Sequence, residues 1–378
     1  MRIFYHGLIY SYYRARPGGI SNFFDRLISR VALEHDCLLT TTRESRLPHP
    51  VGPYLHTVRH NPSHRLRRIN KFLESRHFEL QSRAFRPDLI HYTYYVDPRP
   101  WHLHLPRVYT VYDMIHEKWS HQLDPSRVYA AEKLRSFENA SALPCISEAT
   151  RSDLLDLYPH LEPKTSVIHL GCDLKPTSLA ASYPRPADIN TSYLLYVGAR
   201  GSYKNFTRLL LAFARVVPHI NGIKLRVVGA PFEVLETDLI DALGIAASVE
   251  IFPDANDDML YQLYSQSLAF VYPSLYEGFG LPLLEAMALN APVLASSAGS
   301  IPEVAGNAAL LFNPWSVDSI KESILRIARN PGLRNELITK GRERLLDFTW
   351  QKAVDQYLEL YDYLLAKETL GNEPRKRD

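Results

Sequence analysis

Residues 276–286 read Tyr-Glu-Gly-Phe-Gly-Leu-Pro-Leu-Leu-Glu-Ala, so that two carboxylates, Glu277 and Glu285, lie eight positions apart. The glycines between them let the backbone approach a ligand closely, and Pro282 suits the first turn of a helix. A helix start offers free N–H groups and a positive dipole to an anion. A carboxylate one turn further on can accept hydrogen bonds from hydroxyl groups. The segment therefore predicts a site for a diphosphate that carries hydroxylated groups, as a nucleotide sugar does.

Short apolar runs alternate with longer helical patterns on both sides of this segment. The strand patterns cover 2–5, 37–41, 89–92, 108–112, 143–146 and 166–170 in the first half, and 193–197, 225–228, 249–252, 269–272, 293–295 and 310–312 in the second. The helical patterns include 20–33, 127–139, 206–216, 257–265, 283–289, 317–329, 333–346 and 350–367. This alternation predicts an α/β fold with parallel sheets covered by helices on both faces, whose ligands bind beyond the carboxyl ends of the strands.

Length and composition limit the class of protein. A chain of 378 residues predicts two domains, and the turn-rich stretch 173–190, with three prolines, predicts the linker between them. The net charge of +2 is too small to indicate a nucleic-acid partner. The three cysteines are far apart and predict buried thiols in a reducing compartment. Because the N-terminus lacks a signal-peptide pattern and no apolar run spans a bilayer, we expect a cytoplasmic protein.

One stretch departs from this neutral balance. Residues 55–86 contain eight arginines and lysines against two glutamates. The stretch is either a solvated helix face or a surface for peripheral contact with anionic lipid headgroups or a lipid-diphosphate acceptor. Aromatic residues for base stacking are sparse there, which argues against nucleic acid.

Two further segments carry candidate residues for a phosphate ligand. Residues 196–206 read as a strand, a loop with Arg200 and Lys204, and a helix start. Cations at that place suit a diphosphate because charged hydrogen bonds strengthen as negative charge accumulates, although surface lysines and arginines are also common. Residues 16–21 contain Gly18 and Gly19, which either allow close backbone approach to a ligand or only form a tight turn.

Polar residues at the ends of two first-half strands are also candidates. Asp113 follows the apolar pattern 108–112 and either orients a ligand hydroxyl or caps a loop, and His116 is close enough in sequence to join it. Ser147 stands directly before a helical pattern, where capping alone or a ligand contact explains it.

Together these motifs resemble family 4 of the retaining glycosyltransferases (glycosyl transferase group 1), over nearly the whole chain and most strongly over 194–303. The resemblance implies the GT-B architecture, which consists of two Rossmann-like doubly wound parallel-sheet domains that face a cleft. Residues 1–175 are then the acceptor-binding domain and 190–348 the nucleotide-sugar-binding domain. Residues 349–370 form a C-terminal helix that packs back toward the N-terminal domain.

The resemblance also implies roles for the candidate residues. The catalytic residues are Arg200 and Lys204 on the diphosphate, Glu277 on the sugar and Asp113 on the acceptor. The donor-binding residues are Gly18, Gly19, Ser147, Phe279, Gly280, Leu281 and Glu285. Related enzymes often carry His directly before the aspartate, and this chain has Tyr112 there.

The function that follows is transfer of a hexose, with mannose as one candidate, from a GDP- or UDP-linked sugar with retention of configuration. A glycan or lipid-linked saccharide is the implied acceptor, in cell-surface polysaccharide biosynthesis. We expect no cofactor and no metal, because the chain lacks an Asp-x-Asp motif and zinc-like His or Cys spacing. Two alternatives stay open: a sugar-nucleotide 2-epimerase of the same architecture, and a homologue that binds nucleotide sugars without turnover.

Overall fold

The protein is described by a computed structural model over residues 1–12, 19–42, 53–60, 67–96, 104–172 and 192–371. The predicted linker at 173–190 and Gly18 lie outside these ranges. The chain divides into two compact units. The first contains the residues before Cys172 and the helix that begins at Trp350, and the second contains Cys172–Thr349.

The first unit is built on parallel strands. Its strands are β1 (Arg2–His6), β2 (Asp36–Thr42), β3 (Leu55–His60), β4 (Leu89–Tyr92), β5 (Arg107–Tyr109), β6 (Leu143–Cys145) and β7 (Thr165–Val167). Apart from the helix that begins at Trp350, its helices are α1 (Leu8–Tyr12), α2 (Gly19–Val31), α3 (Arg67–Phe85), α4 (Ile115–Lys118), α5 (Ser120–Leu123), α6 (Val128–Glu138) and α7 (Glu148–Leu157). The main sheet has the order β3-β2-β1-β4-β5, and β6 and β7 form a second parallel pair.

The second unit repeats this plan with six strands. They are β8 (Tyr193–Val197), β9 (Lys224–Val228), β10 (Val249–Phe252), β11 (Ala269–Tyr272), β12 (Val293–Ser296) and β13 (Ala309–Phe312). The helices are α8 (Phe206–Val216), α9 (Val234–Ala242), α10 (Asp257–Gln266), α11 (Leu281–Ala288), α12 (Ile301–Ala305), α13 (Val317–Arg329) and α14 (Pro331–Arg344). Short 3-10 helices cover Pro159–Lys164 in the first unit and Ser202–Lys204, Val217–His219, Ala246–Ser248 and Leu345–Asp347 in the second. The sheet order is β10-β9-β8-β11-β12-β13, with all pairs parallel.

The patterns that predicted these elements also explain how they pack. Strands such as β11 and β12 are buried along their whole length, as expected of parallel strands covered on both faces. Helix α8 buries Phe206, Leu209, Leu210, Phe213 and Val216, which recur at helical spacing and face the sheet.

The last helix, α15 (Trp350–Gly371), belongs to the first unit. Its buried side chains recur at Trp350, Tyr357 and Tyr361, on one face of the helix. The hydroxyl of Tyr361 lies 2.7 Å from Nδ1 of His91 at β4. The other ring nitrogen of His91 lies 3.0 Å from Oγ1 of Thr110, which is 2.9 Å from the hydroxyl of Tyr357. Burial lowers the pKa of His91 to about 3, so this imidazole is neutral at physiological pH.

Strand β3 and helix α9 are two of the elements that the sequence patterns do not predict. Strand β3 falls inside the basic stretch, where His56 and Arg59 interrupt any apolar run. As the last strand of its sheet it needs no continuous apolar pattern. Helix α9 leaves Val234 and Leu235 exposed, and therefore shows no amphipathic period. No helix in the described ranges has the length and apolar content that crossing a bilayer requires.

Candidate active site

In the second unit the strand order changes direction between β8 and β11. The connection after β8 leads to β9 on one side, and the connection after β11 leads to β12 on the other. Doubly wound sheets bind ligands at this switch point. The loop after β8 is joined to the loop after β11 by a hydrogen bond from the Leu275 N–H to the Tyr203 carbonyl (2.7 Å). The Asn205 side chain adds a second bond, from Nδ2 to the carbonyl of Pro273 (3.0 Å). The two loops therefore form one continuous edge.

Lys204 and Glu277 meet across this edge. The ammonium of Lys204 lies 2.7 Å from Oε1 of Glu277, and both side chains are partly buried. Lys204 also lies over the ring of Tyr203, 5.1 Å from its centroid. The structure thus brings together two of the predicted catalytic residues, which are 73 positions apart in the sequence. Because the pair keeps some exposure, its cation and its carboxylate can each reach a ligand.

Arg200, the second predicted cation, is engaged differently. Its Nε and Nη2 donate to the two carboxylate oxygens of Glu236 on α9, at 2.7 and 2.9 Å, and Nη2 also donates to the carbonyl of Pro231. The guanidinium lies near the ring of Phe232 (5.1 Å) and is only 6% exposed. Glu236 also accepts the N–H of Glu233 in a capping box. Arg200 is therefore held by the helix after β9. Of its three guanidinium nitrogens, only Nη1 has no hydrogen-bond partner among the described residues.

Tyr196, near the end of β8, interacts with both ion pairs. Its side chain is 2% exposed, and its hydroxyl donates to the carbonyl of Ala199. Burial is the largest cause of a raised tyrosine pKa here, and the charge of Glu277 raises it further whereas Arg200 lowers it. The loop that carries both cations is therefore fixed to its own strand by a neutral hydroxyl.

The turn from Glu277 to Gly280 is held from behind. The hydroxyl of Ser300 hydrogen bonds to the carbonyls of Glu277 (2.9 Å) and Phe279 (2.7 Å). Gly280 has φ 125°, a conformation that L side chains rarely adopt. With both carbonyls bonded to Ser300, the turn keeps one shape, and α11 begins directly after it with Leu281.

Helix α11 confirms the local pattern and carries the second carboxylate. Pro282 lies in its first turn, and no side chain caps its start at Gly280. Glu285 accepts a hydrogen bond from the hydroxyl of Tyr264 at 3.5 Å. Burial raises the pKa of Glu285. The charge of Asp257 raises this pKa further, whereas the hydrogen bond from Tyr264 lowers it. A largely buried carboxylate with one weak partner is suited to accept hydroxyl donors from a ligand.

The other predicted residues belong to the first unit. Oδ1 of Asp113 accepts the Ile115 N–H at 3.1 Å, while the side chain stays 33% exposed. Ser147 is fully buried and caps α7 by accepting the Thr150 N–H at 3.0 Å, so capping alone accounts for its position. Gly19 is the exposed first residue of α2.

Tyr112, directly before Asp113, is buried. Its N–H donates to the hydroxyl of Tyr95 at 3.3 Å, and its ring lies against Phe23 on α2. Burial raises its pKa, and among the described residues its own hydroxyl has no hydrogen-bond partner.

Several residues of these sites are not found by sequence reasoning. Glu236 and Tyr264 each hold a predicted residue from a different helix, and Lys133 and Glu117 lie beside Asp113. A capping-box pattern at Glu233 and Glu236 was the available signal for one of them. Across the described residues, no three His, Cys, Asp or Glu side chains converge as a metal site requires.

Two family models match the chain. The model for Glycosyltransferase Family 4 matches residues 17–176, and the model for Glycosyl transferases group 1 matches residues 184–344. The chain belongs to these glycosyltransferases. The resemblance carried by the Glu277–Glu285 segment is therefore confirmed at the level of the family.

Two curated relatives are mannosyltransferases by name. The glycosyltransferase chain is 29% identical over 256 residues to the O-antigen chain mannosyltransferase B of Escherichia coli, covering 65% of this chain and 66% of the relative. It is 31% identical over 231 residues to the MMP alpha-(1->4)-mannosyltransferase of Mycolicibacterium hassiacum, covering 59% and 54%. The match thus spans just under two thirds of the first relative and about half of the second.

Solved structures agree on the fold. Sucrose-phosphate synthase from Thermosynechococcus elongatus has a TM-score of 0.77 at 21% identity, covering 97% of this chain and 99% of that one. HepE from Anabaena, solved in complex with UDP, has a TM-score of 0.69 at 17% identity, covering 96% and 99%. The glycosyltransferase therefore has the predicted α/β fold of the GT-B type.

Proposed function

We propose that the protein transfers a hexose from a nucleoside-diphosphate sugar to a saccharide acceptor. The Lys204–Glu277 pair at the switch point of the second sheet carries this proposal, since it offers a cation to a diphosphate and a carboxylate to sugar hydroxyls. Mannose is the proposed hexose because both curated relatives named above are mannosyltransferases. GDP and UDP are the candidate nucleotides.

The chemical demand of the reaction is charge stabilisation on the leaving diphosphate. Lys204 would exchange part of its contact with Glu277 for a phosphate oxygen, and Arg200 would add Nη1 while Glu236 keeps the rest of its guanidinium in place. Cations fixed before the reaction stabilise developing negative charge at little reorganisation cost. The N–H groups of Phe279, Gly280 and Leu281 would add donors at the start of α11.

The remaining carboxylates would bind the hydroxyl groups. Glu277 would accept from the sugar, and Glu285, with its single weak bond from Tyr264, would accept from the ribose. In the first unit, Gly18 and Gly19 would contact the donor and Asp113 would orient the acceptor hydroxyl. Retention of configuration without a metal is part of the proposal, with a diphosphate oxygen taking the acceptor proton.

A screen of donors and acceptors tests the proposal. The protein is incubated with GDP-mannose, UDP-glucose or UDP-galactose, with mannosyl oligosaccharides and polyprenyl-diphosphate saccharides as acceptors, in the presence of EDTA. We expect nucleoside diphosphate release that depends on the acceptor, and a product with the donor's anomeric configuration. Epimerised nucleotide sugar without acceptor would favour the epimerase, and a thermal shift with donor but no release would favour a binding protein.

We further propose that the protein acts on a lipid-linked acceptor in cell-surface polysaccharide synthesis and contacts anionic membranes through α3. This helix exposes Phe72 (65%) and Leu80 (61%) together with Arg76 and Arg83, which both pair with Glu79 and remain exposed. Apolar side chains flanked by arginines suit the interface of an anionic bilayer.

Vesicle co-sedimentation tests the membrane contact. Phe72→Ser with Leu80→Ser should abolish binding to vesicles that contain anionic lipid, and wild type should bind vesicles of neutral lipid weakly. Leu346→Ser, at an exposed leucine of the second unit, is the matched control and should bind as wild type does. Equal binding by the α3 variant would contradict the proposal.

A further inference from the structure

A buried lysine lies beside the loop that carries Asp113. Lys133, on α6, is only 2% exposed, which is rare for a lysine. Its ammonium donates to the carbonyl of Asp113 at 2.5 Å and to Oε2 of Glu117 at 3.1 Å. It also lies 3.6 Å from Oδ1 of Asp113. A buried ammonium is tolerated only with partners of this kind, so the three groups form one unit.

The ammonium of Lys133 also lies near an aromatic ring. Its Nζ is 5.3 Å from the ring centroid of Tyr95, whose hydroxyl accepts the Tyr112 N–H. Glu117 is 5% exposed, and among the described residues its Oε1 has no hydrogen-bond partner. Among the described residues, the hydrogen bonds, ion pairs and ring contact of the Lys133 ammonium are with Asp113, Glu117 and Tyr95.

The three members differ in what they can reach. Lys133 and Glu117 are buried, whereas Asp113 is one-third exposed. One amine faces two carboxyl groups, and the exposed one, that of Asp113, is the one that can reach a ligand. Lys133 holds Asp113 through its backbone carbonyl, which fixes where the carboxylate points.

We propose that Lys133 is a positioning residue for the transfer reaction, acting through Asp113. It holds the Asp113 backbone and carboxylate in the geometry that receives an acceptor hydroxyl. The inference rests on the proposed function, because it takes Asp113 as the residue that orients the acceptor.

Steady-state kinetics with donor and acceptor test this role. Lys133→Met should lower kcat/KM for the acceptor about 10- to 100-fold, since a displacement of about 1 Å costs this much. The KM for the donor should stay within about twofold, and Lys133→Arg should recover part of the loss. In an Asp113→Ala background, Lys133→Met should cause no more than about a twofold further loss, because the residue through which it acts is gone.

A nearby lysine supplies the matched control. Lys118, on α4, also pairs with a carboxylate, that of Asp153. Lys118→Met should keep wild-type kinetics. Losses from Lys133→Met and Asp113→Ala that multiply in the double variant would overturn the inference, whereas wild-type turnover by Asp113→Ala would contradict the proposed role of Asp113 itself.

Amide hydrogen exchange gives a second measurement that needs no turnover. The Ile115 N–H is bonded to Oδ1 of Asp113, so its exchange rate reports whether that carboxylate is held. Lys133→Met should raise this rate at least about tenfold while leaving the Thr150 N–H, capped by Ser147 in the same unit, unchanged. If Lys133→Met does not fold, Lys133→Gln is used in its place. Equal exchange at Ile115 in wild type and variant would overturn the inference.

Discussion

At the scale of single residues, substitution of Lys204 gives the most direct test of the proposed function. Lys204→Ala removes a cation that we expect on the leaving diphosphate, so kcat should fall about 100- to 1000-fold, as when one oxyanion donor is lost. Lys224→Ala is the control, because Lys224 is a surface lysine of the same unit that pairs with Glu250. The measurement is nucleotide release under saturating donor. Turnover within threefold of wild type would contradict the role of Lys204.

Glu236 provides a second residue-level prediction, because it fixes Arg200. Glu236→Gln keeps the shape of the side chain but can no longer accept both guanidinium bonds as a carboxylate does. We expect kcat/KM for the donor to fall about tenfold, less than for Arg200→Ala, because the guanidinium remains but is less well placed. If Arg200 contributes only to stability, the free energy of unfolding in urea will change in Glu236→Gln and in Arg200→Ala, while the kinetics of both stay at the wild-type level.

The same residues mark how far sequence reasoning reaches. Glu277, Gly280 and Pro282 were found because their signals are local, within one turn and one helix start. The partners Glu236 and Lys133 were not, because each lies tens of residues from the group it holds and its own neighbourhood resembles an ordinary helix. Such partners come together only through the order of the strands in the sheet, and no short segment of sequence predicts that order.

At the scale of elements, the fold was predictable wherever apolar patterns were continuous. Unbroken apolar runs predict buried strands such as β11, and the helical spacing of apolar residues predicts α8. Edge strand β3 and exposed helix α9 were missed, because elements with little buried surface need no such pattern. The α/β alternation predicted parallel sheets, but it did not predict the order of the strands within them.

The turn before α11 gives an element-level prediction. Gly280→Ala introduces a Cβ at φ 125° and 3.0 Å from Cδ1 of Leu283. We expect a loss of about 1–3 kcal/mol in the free energy of unfolding, as for other strained backbone positions, and weaker nucleotide binding. Gly201→Ala, in the loop after β8, is the control, since its φ is −54° and its added Cβ meets nothing within 4 Å. Thermal unfolding with and without GDP or UDP measures both effects, and equal results for the two variants would contradict the prediction.

At the scale of the whole molecule, each unit repeats a doubly wound sheet, and α15 completes the first one. Its contact with β4 predicts a pH dependence through His91, whose pKa burial lowers to about 3. Between pH 6.5 and 3 the unfolded chain binds a proton at this position and the folded chain does not. Stability therefore falls as the pH falls through this window, by up to about 1.4 kcal/mol per pH unit.

Substitution isolates this contribution. Between pH 7 and pH 5, His91→Gln should lose about 2 kcal/mol less unfolding free energy than wild type, since the titrating group is absent. His219→Gln, at an exposed histidine of the second unit, should follow wild type. Urea unfolding of the first unit at the two pH values is the measurement. Parallel loss in wild type and His91→Gln would show that protonation at this position does not govern the acid sensitivity.

The place of α15 has a consequence for how the polypeptide is made. During synthesis on the ribosome, the second unit is complete once Thr349 has emerged, because its residues are contiguous. The unit that is translated first still lacks Tyr357 and Tyr361, the two hydroxyls that meet Thr110 and His91. Domains commonly fold in the order of their translation. Here the second unit can fold before the first unit has its last helix. A chain that ends after Thr349 and is released from the ribosome should therefore hold a protease-resistant second unit and a protease-sensitive first one.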